Sequence, residues 1–244
     1  MIVSNEAKAL SGGKVKCMLV LVCCEESQEV CKAFRKQGHI AFSCDIVSCS
    51  GGFPQWHIKQ DCLPLLDGHC DFRTEDGTLH HVQSEWDCII AFPPCTYLTV
   101  TGNRWYNVER YGEAAVLRQE KRNEAISFFK FIANASCDHI AIENPVGIMS
   151  TVFRKPDQII NPWQFGDPYE KKTCLWLKGF PPLKETKIVS VPERVRFKSG
   201  KTMPRWYEEL WKLPSDQRAK LRSKTFPGIA EAMAEQWGSY LMSI

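Results

Sequence analysis

Short, unbroken apolar runs punctuate the chain, and between them apolar residues recur at helical spacing. The run Lys16–Cys23, KCMLVLVC, has the length and β-branched content of a strand buried on both faces of a parallel sheet. Behind it, EESQEVCKAFRKQG places Val30, Cys31, Phe34 and Arg35 at helical spacing, and Gly38 supplies the stop. HIAFSCDI reads as a second strand that ends in acid and Trp56–Lys59 as a short third. The Asp-, Gly- and His-rich stretch from Asp61 to about His81 reads as an irregular loop. WDCIIAF is a fourth strand that delivers its end into Pro93-Pro94-Cys95. A helical pattern from Tyr111 to Ala135 turns Ala125, Ile126, Phe128, Phe129 and Ile132 inward, and HIAIEN is a fifth strand.

Alternation of this kind predicts an α/β fold: a mostly parallel, doubly wound, Rossmann-like sheet with helices on both faces and the strand C-terminal ends on one rim. Ligands bind along such a rim. The polar residues that interrupt the apolar pattern, Glu25, Glu26, Asp45, Asp61, Cys95 and Glu143, fall at or just past those ends and are expected to converge. Residues 1–15, with their SGG, read as a flexible lead. Residues 16–177 read as the α/β unit, 178–224 as a short basic region and 225–244 as a C-terminal helix that packs back on the core.

Composition narrows this only a little. The chain has 244 residues, enough for one core of this type, and no apolar run long enough to span a bilayer. Its first residues contain no apolar stretch that resembles a secretory signal, so the expected location is the cytoplasm. Of the twelve cysteines, Cys17, Cys23, Cys24, Cys44 and Cys88 lie inside strand-like runs, which favours reduced thiols over a disulfide framework. There is no CxxC pair, and His69-Cys70 with His80-His81 lacks ligand spacing, so no metal is expected. The net charge of +3 is unevenly spread: Lys184–Lys224 holds twelve basic against five acidic residues, a balance of +7 that leaves −4 for the remainder. That segment is either a phosphate-tracking surface or a solvated helical face.

The candidate chemistry centres on Cys95. Two prolines stiffen the backbone before it, and its position at a strand end holds the thiol at the sheet rim instead of in the core, as a nucleophile requires. Glu143 ends the next strand, directly before Asn144-Pro145. A carboxyl there can donate to a ring nitrogen while the sulfur adds to a ring carbon.

FPPCTYLT (Phe92–Thr99) resembles the Pro-Cys nucleophile motif of the DNA (cytosine-5) methyltransferases, and IENP (Ile142–Pro145) resembles their Glu-Asn-Val motif. Arg122, at the head of RNEAISFF, is similar to an arginine the family places between the two. FGDPYEKKTCLWL (Phe165–Leu177) resembles the later Tyr-Gly-x-Pro-Gln-x-Arg-x-Arg segment, and FPGIAEAMAEQWG the closing helix. Five motifs in order, covering the chain from about Val15, liken it to a short member of that family, with a reduced target-recognition region, as found in phages and prophages. The resemblance implies a class I methyltransferase fold and transfer of a methyl group from S-adenosylmethionine to carbon 5 of cytosine. Cys95 would form the covalent adduct, and Glu143, Arg122 and Lys171 would complete the catalytic set. It implies a cofactor site built from Cys24, Glu25, Glu26, Asp45, Ile46, Asp61, Cys62 and Pro93, with Asp45 on the ribose hydroxyls and Asp61 facing the adenine amino group. The implied partner is double-stranded DNA with a flipped cytosine, contacted by Arg104, Trp105, Lys198, Lys201 and Arg205. A monomer, assisted or not by an accessory specificity protein, is the expected state.

The chain departs from the family pattern in three places. CCEESQ (Cys23–Gln28) replaces the glycine-rich first turn; Thr96 stands where the family has Gln; and Tyr169, Lys171 and Thr173 stand for Gln and two Arg. Glu25 and Glu26 either face a sulfonium or serve the start of a helix. The loop TYLTVTGNRWYN either grips a nucleic acid or packs over the sheet edge. Two other functions stay open, a DNA-binding protein without catalysis and methylation of cytosine in RNA or a free nucleotide.

Overall fold

The computed structural model describes residues 2–3, 17–191 and 193–244. Seven strands form the central sheet: β2 (Leu19–Cys23), β3 (Ile40–Asp45), β4 (His57–Lys59), β7 (Cys88–Ala91), β8 (Ile140–Pro145), β9 (Gln158–Ile160) and β10 (Thr173–Lys178). Their spatial order is β4-β3-β2-β7-β8-β10-β9. The first five run parallel; β10 returns antiparallel to both β8 and β9. The fold is therefore α/β with a mostly parallel, Rossmann-like sheet. Because β3 and β7 flank β2, the strand order reverses there, and the crevice outside the C-terminal ends of β2 and β7 is where such sheets take ligands.

Strand alternation builds two cores from one sheet. On one face lie Leu19, Leu21, Ile89, Ile140, Ile142 and Trp176, covered by Phe129 and Ile132 of α3 (Glu113–Ala133), which follows the short α2 (Val108–Tyr111). On the other lie Val20, Val22, Ile90, Ala141 and Leu175, covered by Val30 and Phe34 of α1 (Glu29–Lys36) and by the C-terminal helices. Helices thus cover both faces, and the unbroken apolar runs have this cause.

Past β8 the chain makes one short helix, α4 (Met149–Val152), before β9. After β10 the chain leaves the sheet, forms a hairpin of β11 (Arg194–Arg196) and β12 (Thr202–Pro204), and enters α5 (Arg205–Leu210). Helix α6 (Ser215–Ser223) follows. The last segment is a single helical rod broken by one π turn at Met233–Trp237, between α7 (Pro227–Ala232) and α8 (Gly238–Ser243). It packs back on the core as expected, with Trp237 fully buried and its indole N–H donating to the Pro181 carbonyl at 2.9 Å. Gly228 lies so close to the Phe165 carbonyl that an added Cβ would sit 1.9 Å from it, and its amide donates to Asp167. The two C-terminal motifs of the sequence are thereby joined.

The stretch between Asp61 and His81 is not an irregular loop. It holds a hairpin of β5 (Asp71–Arg73) and β6 (Leu79–Val82), with Gly77 at positive φ in the turn. Phe72, His80 and Val82 face inward, and the edge of β6 pairs in parallel with β1 (Ile2–Val3). Of the proposed N-terminal lead, residues 1 and 4–15 lie outside the described residues, as does Lys16 of the first strand.

Candidate active site

Two loops at the C-terminal rim are knitted into one unit. Asn144, buried at the end of β8, donates its side-chain amide to the Pro93 carbonyl at 2.7 Å. The Ile148 amide donates to the Leu98 carbonyl at 2.8 Å, and Gly147 approaches Leu98 so closely that a Cβ would meet its carbonyl oxygen at 2.2 Å. Only glycine permits that approach. The amides of Leu98 and Thr99 both donate to the Cys95 carbonyl, which fixes the residue after the prolines as a tight turn. The proline-cysteine loop of β7 and the Glu-Asn-Pro end of β8 are therefore tied directly to each other.

Between them and the C-terminal segment opens a cleft of about 1060 Å³. Cys95 and Glu143 both line it, as do Cys24, Asp45, Pro93, Trp105 and Lys171. Burial pushes the Cys95 thiol above its ordinary pKa, and the Glu143 carboxyl adds to the rise, while Lys171 and Arg222 oppose it. Burial likewise raises Glu143, opposed by Lys171 and the Thr173 hydroxyl. The Lys171 ammonium lies 3.9 Å from Glu143 and donates to the Arg222 carbonyl at 3.0 Å. Thiol, carboxyl and ammonium thus sense one another in a partly dehydrated space, an arrangement suited to nucleophilic addition coupled to proton transfer.

The other end of the cleft is acidic. Asp45 ends β3 there with a pKa raised chiefly by burial, and accepts a hydrogen bond from the Val47 amide. Glu26 is close enough to contribute to that rise, and its Oε2 is buried with no partner among the described residues. Between β2 and α1, Cys24 and Gln28 take φ values of 58° and 59°. Without any glycine the first turn still adopts the left-handed backbone that glycine ordinarily supplies, at a cost of roughly 1–3 kcal/mol per residue.

The remaining candidates fall elsewhere. Glu25 is buried beneath the turn and accepts from the amides of Val30 and Cys31 at 2.6 and 3.2 Å, so it serves the start of α1. Asp61 is exposed and caps the turn that follows by accepting from the Leu63 amide. Cys62 is buried in a thiol cluster, where hydrogen bonds from Cys23 and Cys24 hold it at about 5. Ile46 projects into solvent beside Asp45, 73 % exposed. Arg122 does not line the cleft: it donates to the Tyr97 carbonyl at 3.0 Å and to Asn103 at 2.8 Å, and lies 3.3 Å from the Tyr106 ring centre, pinning the loop after Cys95. Arg104 stacks on Trp105 outside the cleft. Lys198 and Lys201 lie exposed at the β11–β12 turn, and Arg205 is held by two 2.7 Å hydrogen bonds to Glu193.

Cleft residues that sequence reasoning missed come from α3 (Arg118), the turn before β10 (Lys172) and the basic segment (Arg194, Tyr207, Lys220 and Arg222). The local charge of Lys184–Lys224 was the available signal for three of them, Arg194, Lys220 and Arg222. No described helix is long and apolar enough to cross a membrane. No protein-family model matches the chain, and no curated protein does.

Proposed function

We propose that the protein is an S-adenosylmethionine-dependent methyltransferase that acts on carbon 5 of cytosine in DNA through a covalent Cys95 adduct. The observation that carries this reading is the meeting of a rim thiol and a rim carboxyl in one cleft, on loops tied together by Asn144. The acidic end fits the donor: Asp45 lines the cleft and offers a carboxylate to ribose hydroxyls, and the Glu26 carboxylate close behind it adds negative charge. S-adenosylmethionine bound there would supply an electrophilic methyl group.

The chain's own residues do the rest. The Cys95 proton passes to the Glu143 carboxylate, directly or through one water, which leaves a thiolate and a neutral acid. Sulfur bonds to carbon 6 of the ring, and the electron pair displaced from the 5,6 double bond makes carbon 5 nucleophilic while Glu143 gives its proton to N3. After methylation, N3 returns its proton to Glu143, the carbon 5 proton leaves to solvent, and the carbon–sulfur bond breaks to restore the base. Thiolate regains its proton from Glu143. Lys171, facing both anions, lowers the cost of holding either charge in the cleft. Arg122 acts as a positioning residue through the Tyr97 carbonyl.

Incubation with labelled donor and cytosine-containing DNA, followed by mass spectrometry of the nucleosides, tests this. The expected product is 5-methylcytosine, lost in Cys95→Ser. Methyl on the exocyclic nitrogen, or an unchanged yield from Cys95→Ser, rules the mechanism out; absence of both product and donor binding favours a DNA-binding protein without catalysis.

A further inference from the structure

We infer that the nucleic acid this cleft accepts is single-stranded. An unpaired strand crosses it from the Trp105 rim to the Tyr207 rim, with bases against those rings and phosphates against Lys172, Lys220 and Arg222. The inference rests on the proposed function for the identity of the base and goes beyond it in the form of the chain that carries the base.

Charge is the first support. Lys171 faces Glu143 and Arg194 is paired with Glu170, but among the described residues no acid pairs with Lys172, Lys220 or Arg222. Three exposed cations, unpaired among the described residues, thus stand along the walls of a concave cleft. Outside it the basic segment is partly neutralised, since Arg205 is held by Glu193 and Lys212 by Glu208. A duplex needs its cations spread over a face that reaches two backbones, whereas a single strand needs them along one groove.

Aromatic rings interleave with those cations. Trp105, 41 % exposed, carries Arg104 at 4.5 Å, and Tyr207 carries Arg222 at 5.2 Å. Arg118 lies 5.1 Å from the ring centres of both Tyr97 and Tyr106, and its Nε is buried with no partner among the described residues. Rings flanked by guanidinium groups beside a cationic track form a stacking platform for unpaired bases. About 1060 Å³ is the volume of a small-molecule site, so the base that reaches Cys95 and Glu143 must be unstacked from its neighbours or extracted from a pair. A single strand presents it without that cost.

Fluorescence anisotropy with the full chain, no donor, and a labelled cytosine-containing oligodeoxynucleotide of roughly 12 nucleotides tests the inference, with the same strand annealed to its complement as comparison. The single strand is expected to bind severalfold more tightly than the duplex. Lys220→Gln/Arg222→Gln should reduce the salt slope of single-strand binding by about 1.4, from about 0.7 per phosphate contact, with an unchanged melting temperature. Trp105→Ala should lose on the order of tenfold in affinity, the worth of one stacked base. Lys198→Gln/Lys201→Gln on the hairpin should leave the strand's affinity unaltered. Equal or tighter duplex binding, or a loss confined to the hairpin variant, overturns the inference. Binding is read without the donor, so failure of methyl transfer with retained single-strand preference would sink only the chemistry.

Discussion

Cys95 rests as a thiol. Burial and the neighbouring Glu143 carboxylate both work against its ionisation, and Lys171 and Arg222 only partly compensate. Alkylation of Cys95 by iodoacetamide, followed residue by residue with peptide mass spectrometry, should therefore rise with pH along a curve displaced to higher pH than that of free cysteine. Glu143→Gln removes the adjacent negative charge and should bring the curve back toward lower pH. A Cys95 profile at or below the ordinary thiol range, about 8.5, would contradict this placement. At this scale the sequence was half legible. A cysteine behind two prolines at a strand end and a glutamate at the next strand end were recognisable, because each depends on local order along the chain. Arg118, Lys220 and Arg222 were not, because only the packing of α3 over the sheet brings Arg118 to the cleft and only the path of the chain after β10 brings Lys220 and Arg222 across it.

Elements fail or succeed in the sequence according to how their partners are arranged. Strands β2, β3, β7 and β8 announced themselves because burial on two faces demands unbroken apolar runs. The β5–β6 hairpin did not, since its polar Asp71, Arg73 and His81 alternate with only a few apolar residues over four-residue strands or shorter. Helix α1 shows a subtler conflict. Its start is served by Glu25, yet burial lifts that carboxyl to about 8 against an ordinary 4.5. The folded state thus holds the proton more tightly than the unfolded one. The contribution of Glu25 to stability is fully present below about 4.5 and is lost as pH rises through about 8, because the buried group must then carry charge. Glu25→Gln keeps the acceptor for the Val30 amide without the charge. Thermal melts should show it gaining on the parent chain between pH 5 and pH 9, by more than 1 kcal/mol in order of magnitude. Parallel decline of the two chains would mean that the charge is stabilised in place by the amides at the helix start.

For the whole molecule, one sheet turns sequence distance into proximity. Cys24, Asp45, Cys95, Glu143 and Lys171 lie on five separate segments, and the parallel strand order gathers their ends above the β2–β7 crevice. The C-terminal rod closes the arrangement from behind by covering the face opposite α3, while residues 194–223 close it from the side. The measurement that bears most directly on the joint action of Cys95 and Glu143 is capture of the adduct. DNA carrying 5-fluorocytosine cannot release its fluorine as a cation after methylation, so the carbon–sulfur bond should persist. Incubated with S-adenosylmethionine and digested, the protein should yield a nucleotide-bearing peptide modified at Cys95, absent from Cys95→Ser and formed far more slowly by Glu143→Gln. No adduct, or an adduct on another of the twelve cysteines, would contradict the account.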